Sequence, residues 1–146
     1  MVTSRFLLDV NVLIALHRPS HEAYRKTMGW FRKEGEKSFG TCALTQAGFI
    51  RVMTNEALSG KRIEYSEARE LLGHLTRMDG HVFWPTSVSF LDATALFSER
   101  IFGHRQVTDA YLLGLAIRER GILVTLDKAI LHLAGREYRK HVHLLD

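Results

Sequence analysis

Three aspartates stand where carboxylates do chemistry in α/β proteins. Asp9 follows the apolar run FLL, Asp109 lies one residue past Thr108 at the head of the clearest helical pattern, and Asp127 comes two residues after the run ILVT. An acid directly after a short buried strand emerges at the carboxyl edge of a sheet, where open α/β folds collect their ligands. Three such charges in one crevice repel strongly at low dielectric, so they require a counter-cation or raised pKa values. Oxygen donors without a neighbouring thiolate favour a hard ion, Mg2+ or Mn2+, over zinc. Singly, each acid also has an ordinary structural role. Asp109 in a first helical turn favours the helix dipole, and Asp127 can cap the short helix that follows it. Asp9 is harder to account for that way, because an acid between FLL and an apolar helix is close to buried.

The elements that must position these acids follow from the hydrophobic pattern. Residues 5–9 read as a strand and 11–17 as a helix stopped by Pro19; a second helical pattern begins at Ser20 and Glu22 and runs to Lys33. Residues 39–42 are compatible with a strand, 45–53 with a helix capped by Thr45, and 54–63 with a loop. Ser66 is placed to cap a helix bearing Ala68, Leu71, Leu72, Leu75 and Met78 on one face, and HVFW at 81–84 fits a strand ended by Pro85. A helical stretch over 91–98 precedes the helix that Thr108 would cap and Gly121 would close. The remainder reads as a strand at 122–125, a short helix at 127–133 and a last strand at 141–145. Strands alternating with helices imply a three-layer α/β/α sandwich around a mostly parallel central sheet.

Composition narrows the classes. A chain of 146 residues with 46% hydrophobic content fits one domain spanning 1–146, and its formal net charge of +4 makes an anionic partner plausible. With Cys42 as the single cysteine, neither an intrachain disulfide nor a multi-thiolate zinc site can form, which suits a reducing cytoplasm. The apolar start is broken by Asp9 and Asn11, so it is expected to be neither a signal peptide nor a membrane span. The eight histidines do not cluster: Pro19 separates His17 from His21, and His141 and His143 read as surface residues of the last strand. No Ser-His-Asp order, Walker loop or GxGxxG is present, which leaves acyl transfer and nucleotide-cofactor chemistry without support. Trp30, Phe39, Phe49, Trp84 and Phe90 are more economically core or interface residues than base-stacking platforms.

Three segments, at 6–16 (FLLDVNVLIAL), 41–55 (TCALTQAGFIRVMTN) and 107–130 (VTDAYLLGLAIRERGILVTLDKAI), together resemble the PIN-domain family, and within it the VapC-type ribonuclease toxins of type II toxin–antitoxin systems. FLLDVNVLIAL at 6–16 is similar to the family's first strand with its metal-binding Asp and following Asn. VTDAYLLGLAIRERGILVTLDKAI at 107–130 is similar to its TDA helix, strand and TxD block, and TCALTQAGFIRVMTN at 41–55 to the segment after the second strand. The resemblance implies that Asp9 and Asp109 are the primary metal ligands and that Asp127 is the third acid, acting directly or through water. Asn11 would orient the site, while Thr108 and Thr125 match small hydroxyl positions beside acids and can equally be caps. Many PIN domains carry a glutamate early in the helix after the second strand. Residues 45–51 here contain no acid, so Gln46 or Gly48 takes its place. A neutral carbonyl oxygen attracts Mg2+ less strongly than a carboxylate.

The implied activity is Mg2+-dependent hydrolysis of RNA phosphodiester bonds, with Mn2+ as a possible substitute. Arg18, Arg51, Arg105 and Lys128 are the candidates to hold the RNA backbone. The resemblance also implies a homodimer and a cognate antitoxin that covers the site, with control supplied by that other chain. An aspartyl phosphotransferase of the haloacid dehalogenase type would need a second Asp two residues after the first, where Asn11 stands. A PIN-like module that binds RNA or protein without cleaving is the other alternative, and the missing glutamate is its motive.

Overall fold

The computed structural model describes residues 5–146. Five short strands, β1 (Phe6–Leu8), β2 (Phe39–Thr41), β3 (His81–Phe83), β4 (Ile122–Thr125) and β5 (Val142–Leu144), form one sheet in the order β3-β2-β1-β4-β5. Every adjacent pair is parallel, so the sheet is fully rather than mostly parallel. The order reverses between β1 and β4, which pair Phe6 with Ile122 and Leu8 with Val124. Such a reversal leaves a crevice at the carboxyl ends of the two strands, because their connections depart to opposite faces.

Alternation along the strands divides the core. Phe6, Leu8 and Val124 face α1 (Val10–His17), α2 (Tyr24–Lys33), α3 (Ala43–Met53) and α5 (Tyr65–Thr76), where Leu13, Phe31, Phe39, Phe49 and Met53 complete one cluster. Leu7 and Leu123 face α6 (Phe90–Thr94), α7 (Val107–Arg118) and α8 (Lys128–Ala134), against Trp84, Phe97, Leu112, Leu115 and Ile130. The fold is the expected three-layer α/β/α sandwich.

Several element ends differ from the pattern-based expectation, each for a local reason. The loop expected at 54–63 contains one helical turn, α4 (Glu56–Ser59), because the Asn55 side chain accepts from the Ala57 N–H at 2.9 Å and Gly60 takes φ 78° to end it. α3 begins at Ala43 with Cys42 as its N-cap residue. Thr45 sits inside the first turn, where its hydroxyl accepts the Cys42 N–H at 3.0 Å. α5 starts at Tyr65, ahead of Ser66, and α7 starts at Val107, so Thr108 lies within the helix rather than capping it. The second helix starts at Tyr24, later than Ser20 and Glu22 suggested. The left-handed residue that ends α7 is Arg120, with φ 57°, not Gly121. Gly121 is required for another reason: a Cβ there would stand 2.5 Å from the Trp84 ring and 3.0 Å from the Arg5 carbonyl oxygen.

α6 and α7 pack closely at Gly114, where a Cβ would lie 2.2 Å from the Ala93 carbonyl oxygen. Backbone cannot swing aside as a side chain can. Gly114→Ala is therefore expected to lower stability by about 1–3 kcal/mol through overpacking, measurable as a lower midpoint in urea unfolding with an unchanged slope.

Candidate active site

The site is assembled at the switch point by the two central strands. Asp9 follows Leu8 directly, and its backbone N–H donates to the Val124 carbonyl at 3.0 Å, which continues the β1–β4 pairing past the end of the strand. The residue is 5% exposed. One carboxylate oxygen accepts the Val10 N–H at 2.8 Å at the start of α1, and the other accepts the Thr125 hydroxyl at 2.8 Å. Thr125, fully buried at the end of β4, in turn accepts the Asp127 N–H at 3.1 Å. A continuous chain of hydrogen bonds thus ties the loop after β4 to the acid after β1.

Asp127 caps α8, its Oδ1 accepting the Ala129 N–H at 2.9 Å. Asp109 lies half-buried in the first turn of α7. The three carboxyl groups sense one another electrostatically. Burial raises the Asp9 pKa above the ordinary value, opposed by its bonds to Thr125 and Val10 and reinforced by the Asp127 charge. Asp109 is pushed up to about 7, first by burial and then by the charges of Asp9 and Asp127. Among the described residues, the ion pairs are Arg62 with Glu64 and His74 with Glu70, so no side-chain cation is paired with any of the three acids.

Carboxyl groups that raise one another's pKa without a paired cation suit a hard divalent ion. The fit has a limit: among the described residues, no group of three or more His, Cys, Asp or Glu side chains is drawn together tightly enough to hold a metal unaided. A hard ion held there would need water or phosphate oxygens to complete its shell, in keeping with the reluctance of Mg2+ to give up its waters.

The other expected residues fall into distinct places. Asn11 is exposed on the first turn of α1 and is not a partner of Asp9, and Thr108 is exposed beside Asp109. Gly48 is buried against α1, where a Cβ would stand 2.6 Å from a Val10 methyl, so its role is packing. Gln46 is half-buried near the end of β2, and its Nε2 donates to the Thr41 hydroxyl at 3.0 Å. Arg51, Arg105 and Lys128 are exposed. Arg18 is not: it is 9% exposed, and its guanidinium donates to the Ser59 hydroxyl at 3.2 Å and the Lys61 carbonyl at 2.5 Å. That bonding clamps the loop after α4 to the end of α1 and takes the side chain away from any phosphate. His143 is half-buried and packs on Trp30 at 5.8 Å, and His141 bonds the Gly121 carbonyl at 2.8 Å.

The role of Thr125 has a measurable consequence. Thr125→Val keeps the shape and removes the donor to Asp9, leaving a buried carboxylate oxygen without its partner. A loss of about 1–3 kcal/mol in unfolding free energy at neutral pH is expected, with a smaller loss at acid pH where Asp9 is protonated.

A family model described as PIN domain matches residues 6–136. Ribonuclease VapC38 of Mycobacterium tuberculosis is 41% identical over 140 residues, covering 95% of this chain and 96% of its own length. Ribonuclease VapC44 of the same organism is 39% identical over 126 residues, 86% and 88% of the two chains. Among solved structures, PAE2754 from Pyrobaculum aerophilum superposes with a TM-score of 0.60 at 19% identity, over 97% of this chain and 90% of its own. VapBC2 from Rickettsia felis, bound to a DNA fragment from their promoter, gives 0.61 at 14% identity, over 97% and 98%. The structural likeness speaks for the fold alone. Sequence, fold and the placement of the acids agree, and the chain belongs to the PIN-domain family.

Proposed function

We propose that this chain, as one domain over residues 1–146, is the toxin of a type II toxin–antitoxin system, a divalent-metal-dependent endoribonuclease restrained by a cognate antitoxin. The observation that carries the reading is the electrostatic meeting of Asp9, Asp109 and Asp127 at the β1/β4 switch point with no cationic side chain paired to them. Similarity to named ribonucleases over most of the chain supports it.

Asp9 and Asp109 would hold Mg2+, or Mn2+, with Asp127 acting directly or through water. When bound, the ion polarises the scissile phosphate and lowers the pKa of an attacking water. The Thr125 hydroxyl fixes the rotamer of Asp9, and the Val10 N–H holds its other oxygen. Asp109, which burial and the charges of Asp9 and Asp127 push up to about 7, would have to be ionised to hold the ion. Arg51, Arg105 and Lys128 are exposed to meet the RNA backbone, and Arg18 is not among them. Gln46, near the end of β2, offers a neutral amide, and either it or Gly48 stands where the family resemblance implies a glutamate.

The protein acts in the cytoplasm as a homodimer, and no helix among the described residues is long and apolar enough to cross a membrane. Expression of the wild type alone should arrest growth, and co-expression of a neighbouring small reading frame encoding the antitoxin should restore it. Equal arrest by wild type and Asp109→Asn would refute the reading. A non-cleaving RNA- or protein-binding module draws on the neutral Gln46. Metal-dependent RNA cleavage by purified protein excludes it.

A further inference from the structure

The carboxyl edge of the sheet continues past the acids into a second cleft. Between α3 and α5, beside the end of β3, lies a cavity of about 660 Å3, within the size range of small-molecule sites. Tyr65 and Phe83 line it while remaining 61% and 51% exposed, an uncommon state for two large aromatic residues. Arg69 and Arg77 line it as well, and no acidic side chain does so among the described residues. Gly73 interrupts the interior of α5 at a cost of about 1 kcal/mol relative to alanine. Its missing side chain leaves room for the Arg77 guanidinium, whose Nη1 lies 2.9 Å from where a Cβ would stand.

The polar part of the lining is ordered. Gln46 Nε2 donates to the Thr41 hydroxyl at 3.0 Å, and Thr41 shares a 2.8 Å hydrogen bond with His81 Nε2. Burial lowers the His81 pKa, which favours the neutral ring. The Gln46 amide oxygen is not used in that chain. Because all five strands run parallel, Phe83 at the end of β3 and Asp9 after β1 emerge on one edge. They are separated by two strand spacings, about 10 Å.

Exposed aromatic rings, guanidinium groups and an apolar wall with fixed amide chemistry are what single-stranded nucleic acid is held by: rings stack on bases, cations meet phosphates, and amides read base edges. We propose that this cleft is a nucleobase subsite, in which an unpaired base of the RNA strand flanking the scissile phosphate stacks on Tyr65 or Phe83. Arg69 and Arg77 hold the adjoining phosphates, and Gln46 reads the edge of the base. The subsite rests on the ribonuclease reading of the acid site and extends it to substrate choice.

Binding is tested apart from cleavage. Full-length Asp109→Asn protein is titrated against a short single-stranded RNA of mixed sequence carrying 2-aminopurine, whose fluorescence is quenched on stacking. Tyr65→Ala or Phe83→Ala in that background is expected to weaken binding about tenfold and diminish the quench. Phe83→Leu, which keeps an apolar side chain, should retain the melting temperature and still lose quench. In the otherwise wild-type protein, Phe83→Ala should raise KM about tenfold with kcat within about twofold, and flatten the base preference at one position beside the cut. Unchanged affinity and quench in both aromatic variants overturns the subsite, as does hydrogen-exchange protection of the cleft by a second copy in the free protein. Cleavage by the wild type without dependence on Tyr65 or Phe83 contradicts the subsite alone. Aromatic-dependent RNA binding by a wild type that never cleaves supports the subsite and contradicts the ribonuclease reading.

Discussion

Asp9→Asn and Asp109→Asn are each expected to reduce divalent-metal-dependent RNA cleavage by about a thousandfold, well beyond the 10- to 100-fold effect typical of a residue that only supports a metal ligand. Asparagine preserves shape, and at position 9 it still offers an oxygen to the Val10 N–H, so the fold persists while the charge is lost. Asp127→Asn should cost less, about 10- to 100-fold, because its carboxylate also caps α8 and acts at greater remove from the cation. Initial rates on one RNA, with Mg2+ varied for each variant, check both the size and the order of these losses. Equal, small losses at all three positions would mean that the acids are structural.

The second large effect is on stability in the absence of metal, and its sign follows from the pKa shifts. Asp109 titrates near 3.8 when unperturbed and at about 7 in the folded protein, and Asp9 is shifted in the same direction. Below about pH 3 both are largely protonated in the folded and unfolded states alike. As pH rises towards and through 7, folding requires Asp109 to ionise beside two other carboxylates. The stability present at acid pH is therefore lost. Metal-free Asp109→Asn should melt above wild type at pH 8 and close to it at pH 4. Each kcal/mol of relieved repulsion is worth about 2–4 °C in a chain of this size. Added Mg2+ or Mn2+ should raise the melting temperature of wild type at pH 8, with a much smaller effect at pH 5 and little effect on the variant. Thermal melts across that pH range, with and without chelator, measure all of these at once. A wild type that melts no lower than Asp109→Asn at pH 8 would show that the acids do not strain the fold.

The layered fold and the placement of Asp9 were legible because local pattern and tertiary role coincide there. FLL is buried throughout and ILVT from Leu123 on, as parallel central strands must be, and an acid at the end of such a run has few ordinary explanations. Element ends were less legible, since α4 hangs on the Asn55 side chain within an apparent loop and α7 is preceded by Gln106, which makes no side-chain cap, while the more obvious caps Ser66 and Thr108 lie inside their helices. The part played by Thr125 depends on a contact between residues 116 positions apart, which requires the β1–β4 pairing to be known. Arg18 illustrates the opposite error: a side chain that reads as a surface cation is buried by a loop whose path no local pattern reveals. Of the aromatic residues assigned to core or interface, Phe39, Phe49 and Trp84 are fully buried, while Phe90 is 45% exposed and stacks on Tyr111 at 5.8 Å. The cleft at Tyr65 and Phe83 arises only when β3 pairs with β2 and brings the end of one strand beside the helix before it.

In the proposed function, the carboxylates at the switch point bind a divalent ion that the chain uses to cut RNA. The most direct test pairs calorimetric Mn2+ binding with single-turnover RNA cleavage over the same Mn2+ concentrations, for wild type and Asp9→Asn. Wild type should bind Mn2+ and cleave with a matching saturation curve, chelator should abolish cleavage, and Asp9→Asn should lose binding and cleavage together. Cleavage that persists in chelator, or in Asp9→Asn without bound Mn2+, would contradict that function.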